Sequence, residues 1–199
     1  MENIGSRSEM ASGRTHQYQS SHRRSMTTEH IDLNRFIVDR LDASYLWIER
    51  LRDGITDEQF YYQPTADSNS IAWLVWHLSR WRDRTSAIVS GETQVWTSEG
   101  WSQRFGIPEE RTGLGDTTEQ VTAFRTDRDL VLSYADAAHR TIVDRVLKLT
   151  AEQLKEPVKG LPGEPRPAWR VLAGVIGDST EHVGQINYLR GMTSGLGWR

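Results

Sequence analysis

Asp178 and His182 stand four residues apart in the segment Trp169–Arg190. Its apolar residues Val171, Leu172, Val175, Ile176, Val183, Ile186 and Leu189 recur at helical spacing. At about 100° per residue, the acid and the imidazole both fall inside that apolar stripe, one turn apart. Burying a carboxylate is costly unless it is paired, hydrogen-bonded or bound to a cation. An acid and an imidazole at i and i+4 can grip one metal ion from one side. His77, in a second strongly helical segment, Ile71–Val89, is the third candidate ligand. It lies about 40° from Trp73 and from Trp81 on a helical wheel, at the flank of the buried stripe and beside two indoles.

Each residue also has a plainer reading. His77 can be a core histidine satisfied by hydrogen bonds, Asp178 a carboxylate paired with an arginine, and His182 a donor to Asp178 without any metal. Asp178 follows Gly174-Val-Ile-Gly in mid-helix, where backbone N–H groups are already used, which argues against a capping role. If the three act together, two nitrogens and one oxygen from two helices leave positions open on a first-row ion: Zn, Ni, Fe or Mn. Open positions belong to catalytic rather than structural sites. Such an ion lowers the pKa of a coordinated water or thiol, so that an anionic nucleophile exists at neutral pH. His139 falls on the same side of its helix as Leu132 and Ala135. It is a candidate fourth ligand, a supporting group behind the ligands or a general base, with a packed, hydrogen-bonded histidine as the alternative. Gln185, close beyond His182, either lines the same pocket or faces solvent.

These residues need rigid elements to position them, and the chain supplies helices. Leu33, Phe36, Ile37, Leu41, Tyr45, Ile48 and Leu51 predict a first helix ending at Asp53–Gly54. Thr56-Asp-Glu-Gln59 is a capping box for a short helical turn, and Pro64 with Thr65–Asn69 makes a loop. A second helix starts near Ser70, buries Ile71, Leu74, Val75, Leu78, Trp81 and Ile88, and stops at Gly91. Residues 92–116 form a long connection, of the kind that often carries function. A capping box at Thr117–Gln120 predicts one long third helix through Val121, Phe124, Val131, Leu132, Ile142, Val146 and Leu149. Thr150–Gln153 caps a short turn. Pro157, Pro162, Pro165 and Pro167 follow in a linker that can pair as a small hairpin but not as a regular sheet. The last helix runs from about Ala168 to Gly191. Four long amphipathic helices without clear strands predict an all-α four-helix bundle with long connections, in which ligands project inward from facing helices.

Composition narrows the function further. With 199 residues, one domain over residues 29–199 is expected, preceded by a disordered tail over residues 1–28 that carries His16 and His22. The net charge of −3 gives no basic footprint for nucleic acid and no polybasic membrane signal. No apolar run reaches the ~20 residues that span a bilayer, and no signal peptide is visible, so the expected location is cytoplasmic. There is no cysteine, hence no disulfide, thiolate ligand or cysteine nucleophile; thiol chemistry would need sulfur from a bound molecule. Of eight tryptophans, five lie between Trp73 and Trp101, ready to line a core or a pocket.

The stretch Ile71-Ala-Trp-Leu-Val-Trp-His77-Leu, followed by Asp178-x-x-x-His182-Val-Gly-Gln-Ile, resembles the DinB-like four-helix bundles. That superfamily includes the mycothiol-dependent maleylpyruvate isomerase and the bacillithiol S-transferases. The resemblance covers roughly His30 to Gly191. It implies His77, Asp178 and His182 as ligands of a divalent metal, because the family joins one histidine of the second helix to a His-x-x-x-His or Glu-x-x-x-His pair on the last. Asp178 departs from both forms, being shorter than glutamate. The isomerase also carries a smaller second C-terminal domain, which these 199 residues are not expected to include, so maleylpyruvate is not the expected substrate. What the resemblance implies chemically is a metal that stabilises the thiolate of a low-molecular-weight thiol, such as mycothiol, for attack on a small electrophile. The Trp-rich segment would wall an apolar electrophile, and Arg80, Arg84 and Arg104 could hold carboxylates or polar thiol groups. The expected activity is therefore a metal-dependent thiol S-transferase or isomerase. A metal-dependent hydrolase and a catalytically inactive, stress-related binding protein are the alternatives. A homodimer paired through helix faces is also expected.

Overall fold

The computed structural model describes residues 31–160 and 163–198. The expected tail, residues 1–28 with His16 and His22, lies outside them. Four long helices carry the architecture: α1 (Leu33–Glu49), α3 (Ile71–Ser90), α7 (Arg128–Lys148) and α9 (Ala168–Ser194). Short helical turns occupy the connections: α2 (Asp57–Phe60), α4 (Val95–Ser98), α5 (Trp101–Phe105), α6 (Thr118–Thr122) and α8 (Ala151–Lys155). The strands β1 (Pro157–Val158) and β2 (Arg166–Pro167) pair antiparallel, and a 3-10 turn (Gly195–Trp198) follows α9. Among the described residues, no helix is long and apolar enough to cross a membrane.

Helix α3 packs against α7 and α9, and α1 packs against the same two, so α1 and α3 face each other across the diagonal of a four-helix bundle. The core has two apolar layers. One gathers Trp73, Trp76, Trp96, Phe124, Tyr134 and Ile186. The other gathers Ile37, Leu41, Val89, Ile142, Val146 and Leu172. Between them lies a polar level with one residue from each long helix: Ser44, Arg82, His139 and Ser179, all buried. The middle of α3 is polar yet buried from Ser79 through Ser86, apart from half-buried Trp81 and Arg84. The triad candidates on α3 and α9 flank this level.

Local signals explain most boundaries. Ser70 accepts a hydrogen bond from the Trp73 N–H at 3.2 Å and opens α3, and Gly91 closes it in the left-handed region at φ +76°. All three capping boxes form, at Thr56–Gln59, Thr117–Gln120 and Thr150–Gln153. Four expectations need revision. The third helix is not continuous from Thr117: α6 ends at Thr122 and α7 starts afresh, with Asp127 accepting from the Leu130 N–H. Phe124 is drawn into the Trp76 cluster, and the Thr126 carbonyl accepts from the Tyr61 hydroxyl at 2.6 Å, so helical bonding is interrupted there. The first helix stops at Glu49 rather than Asp53, and its last residues unwind into turns that still bury Leu51. The long connection 92–116 contains α4 and α5. Trp81 and Ile88, expected in the core, are only half-buried. The proline-flanked hairpin does form, with Pro157 opposite Pro167, and stays two residues long because proline has no N–H to extend the ladder.

Candidate metal centre

His77 on α3 and Asp178 and His182 on α9 converge. One ligand atom from each lies within 4.8 Å of the other two, and this is the one such group of three among the described residues. Nε2 of His182 stands 3.4 Å from Oδ1 of Asp178. Two ligands of a tetrahedral ion with bonds of about 2.1 Å stand roughly 3.4 Å apart, so this pair is already spaced for a common cation. The His77 and His182 rings meet edge to face, with centroids 5.0 Å apart. Oδ2 of Asp178 is buried and has no hydrogen-bond partner. A buried carboxylate oxygen left without a donor is costly, and a cation is the partner that two lone-pair nitrogens and this oxygen can share.

Hydrogen bonds behind the ring nitrogens decide which lone pairs face inward. Nδ1 of His77 lies 2.6 Å from the Thr112 carbonyl, which can only accept, so this nitrogen carries the proton and Nε2 is the free lone pair. Nδ1 of His182 lies 3.0 Å from Oε1 of Gln185 and donates to it, so Nε2, which faces Asp178, is the nitrogen that a cation would take in place of its proton. Metal-ligating histidines use such bonds to fix tautomer and ring orientation. Burial holds the His77 pKa below the usual histidine value, against the upward pull of its bond to Thr112. Burial also pulls on His182, but its hydrogen bonds to Asp178 and Gln185 and the Asp178 charge outweigh it and leave the pKa raised.

The connection 92–116 supplies the support for His77. Arg111 and Asp116 close its last turn with a two-pronged contact, Nε to Oδ1 at 3.0 Å and Nη2 to Oδ2 at 2.7 Å. The Trp73 indole N–H also donates to Oδ2 of Asp116 at 2.9 Å. The Trp73 ring then stacks on His77, with centroids 4.7 Å apart and planes 12° from parallel. Gly113 has φ +90°, and a Cβ there would sit 2.6 Å from Nδ1 of His77. The loop can therefore reach the imidazole only with glycine at this position. Sequence reasoning missed Thr112 and Gly113, since Thr112 acts through its backbone; the paired glycines 113 and 115 in a long connection were the available signal.

His139 is not part of the triad. Its Nδ1 accepts from Nη1 of Arg82 at 3.3 Å, its Nε2 lies 3.0 Å from Asp42, and its ring stacks on Tyr45. Burial and the neighbouring Arg82 charge lower its pKa to about 3, so it is neutral. Arg82 links it to α9 through Ser179, at 3.2 Å from Nε, and to α1 through Ser44, at 2.6 Å from Nη2. Burial lowers the Arg82 pKa to about 10, opposed by the charges of Asp178 and Asp42, so it stays cationic. The packed, hydrogen-bonded alternative describes His139, rather than a fourth ligand. Gln185 supports His182, as described.

The expected arginines do other work. Arg80 is buried, stacks over Trp96 and donates to the Arg111 and Glu109 carbonyls, holding the long connection to α3. Arg84 donates to the Gly160 carbonyl, and Arg104 lies over Trp101 at the surface. Of the five clustered tryptophans, Trp76 and Trp96 are core, Trp73 backs His77, and Trp81 alone lines a cavity beside the triad.

That cavity, of about 310 Å³, is reached past Asp178 and is walled by Trp81, Thr85, Val171 and Val175. Arg166 and Arg170, which sequence reasoning did not single out, line it as well. A second depression, of about 630 Å³, passes Gln185 and is bordered by Leu74, Glu181 and Tyr188. Asp178 thus lines the first cavity, and Gln185, the partner of His182, lines the second.

A search of curated proteins returned no match. Among solved structures, a conserved protein from Enterococcus faecalis is similar in fold, with a TM-score of 0.74 and 21% identity over 83% of this chain and 99% of that one. A model of the DinB superfamily matches residues 41–186, from the middle of α1 through Ile186 of α9. That span takes in at least part of each of the four long helices and all three convergent residues, and the chain belongs to the DinB superfamily.

Proposed function

We propose that this protein is a divalent-metal-dependent enzyme that joins a small thiol, of the mycothiol type, to a small electrophile, or uses such a thiol to isomerise one. The observation that carries this reading is the convergence of His77, Asp178 and His182, with a buried Asp178 oxygen that has no hydrogen-bond partner, beside an apolar-walled cavity that Asp178 lines. The chain has no cysteine, so the sulfur arrives on a bound molecule.

A divalent cation held by His77, Asp178 and His182 would supply Lewis acidity, favouring the thiolate form of a bound thiol at neutral pH. The chain's own residues do the rest. Thr112 and Gln185 hold the two imidazoles with Nε2 lone pairs inward. Asp178 offsets the charge of the ion. Trp81, Val171 and Val175 give the cavity beside Asp178 apolar walls for the electrophile. In the transfer, a sulfur–carbon bond forms as the bond from that carbon to its leaving group breaks; the leaving group takes the electron pair and the thiol proton passes to solvent.

The test uses protein purified without a histidine tag, with metal content measured before assay against a panel of thiols and electrophiles. Product formation is expected only with both thiol and metal. His77→Ala and His182→Ala should lose metal and fall to background while circular dichroism stays helical. Consumption of substrate without thiol would replace this reading with hydrolysis. No turnover by fully loaded protein would leave a binding protein of the same fold.

A further inference from the structure

Arg170 lies in the first turn of α9, two turns ahead of Asp178, and both line the 310 Å³ cavity. Arg170 is exposed and joins no ion pair among the described residues. Arg166, in β2, lines the same cavity. Asp178 is the acid in its lining, and its charge is matched once it holds a cation. Arg170, Gly174 and Asp178 recur at four-residue intervals, so they share one side of the helix, about 12 Å from first to last. A Cβ at Gly174 would meet nothing within 4 Å, so close helix packing does not require the glycine. Its missing side chain leaves bare backbone between the arginine and the acid. Trp81 and Val175 give the cavity apolar walls.

Resting on the metal-centre reading above, we infer that this cavity is a carboxylate-binding subsite. It takes a small acid whose carboxylate pairs with Arg170 and whose apolar chain lies over Gly174 beside Trp81, with its reactive end toward Asp178. Arginine suits the task because its planar fork matches a carboxylate and stays charged at any physiological pH. Asp178 repels an acid bound in the opposite sense, which sets the direction of entry.

Two arms test the subsite and the metal chemistry separately. In the first, metal-free protein is titrated with hexanoate and with hexanol while the indole N–H signal of Trp81 is followed by NMR, assigned with Trp81→Phe. The acid should bind about fivefold tighter than the alcohol, the scale of one partly exposed ion pair, and Arg170→Ala should erase the difference. In the second, cobalt-loaded protein is titrated with 6-mercaptohexanoate and 6-mercaptohexanol while its visible absorption is followed. The acid should again be favoured about fivefold, Arg170→Ala should bring the two together, and Gly174→Leu, a better helix former that fills the floor, should weaken both. Equal affinity for acid and alcohol in both arms, a preference that survives Arg170→Ala, or binding untouched by Gly174→Leu overturns the subsite. A cobalt spectrum that answers both thiols equally keeps the thiol reading and removes the subsite. Hexanoate binding that depends on Arg170, with no cobalt response to either thiol, keeps the subsite and removes the thiol reading.

Discussion

Two hydrogen bonds, His77 to the Thr112 carbonyl and His182 to Gln185, turn three side chains into one prospective ligand set. Each commits Nδ1 and points the other nitrogen inward. Gln185→Ala should therefore weaken zinc binding by about tenfold without changing the fold, as loss of a partner behind a ligating histidine commonly does; a competition titration against a chromogenic chelator measures it. Proton competition gives a second expectation. The His182 pKa stands above the ordinary histidine value, and a metal takes only the neutral ring. Below that pKa, affinity should fall about tenfold per pH unit, one proton leaving for each ion bound. Calorimetry in buffers of different ionisation enthalpy counts that proton directly.

At the scale of elements, the connection before α6 acts as a brace for α3 rather than as slack chain. Arg111, Asp116 and Trp73 clamp its end, and Gly113 lets its backbone touch the imidazole. Gly113→Ala puts a Cβ 2.6 Å from Nδ1 of His77 at a positive φ. It should cost about 1–3 kcal/mol in urea unfolding and displace His77, lowering metal affinity as well. Helix α9 behaves differently at its glycines. Gly174 is mid-helix and faces open space. Gly174→Ala should stabilise the protein by about 0.5–1 kcal/mol, read as an increased urea midpoint with unchanged slope.

Across the whole molecule, the bundle interrupts its core with a polar level in which Arg82 reaches Ser44, His139 and Ser179. A buried cation ties all four long helices to one register just behind Asp178, and burial, with this charge beside it, keeps His139 unprotonated. The groups facing His139 are Arg82 from α3 and Asp42 with Tyr45 from α1. Its folded pKa of about 3 lies below the ordinary 6.5. The unfolded chain therefore binds a proton that the folded one refuses, so stability is fully present above pH 6.5 and is lost as the pH falls toward 3. By pH 5 this amounts to about 2 kcal/mol. Chemical unfolding at pH 7 and pH 5 should show that loss in the wild type and a smaller one in His139→Gln, the difference isolating this residue from the triad histidines.

The amino-acid sequence by itself determined the helices and the candidate ligands, because both depend on short-range geometry. An apolar period of 3.6 residues marks a helix wherever it packs, and an i, i+4 acid and imidazole share a face of α9 by helix geometry alone. Caps at Ser70, Thr56, Thr117 and Thr150 are equally local. Tertiary structure decided what depends on groups distant along the chain. The break between α6 and α7 comes from Phe124 and Thr126 finding partners elsewhere in the bundle. The tautomer of His77 is set by a backbone carbonyl 35 residues away, which leaves no trace in side-chain chemistry. Arg80 and Arg82 are buried, because carbonyls, hydroxyls and an imidazole from other segments satisfy their donors. Arg166 and Arg170 reach the cavity because β2 packs against α9 and α9 against α3, a placement that spacing along the chain does not encode.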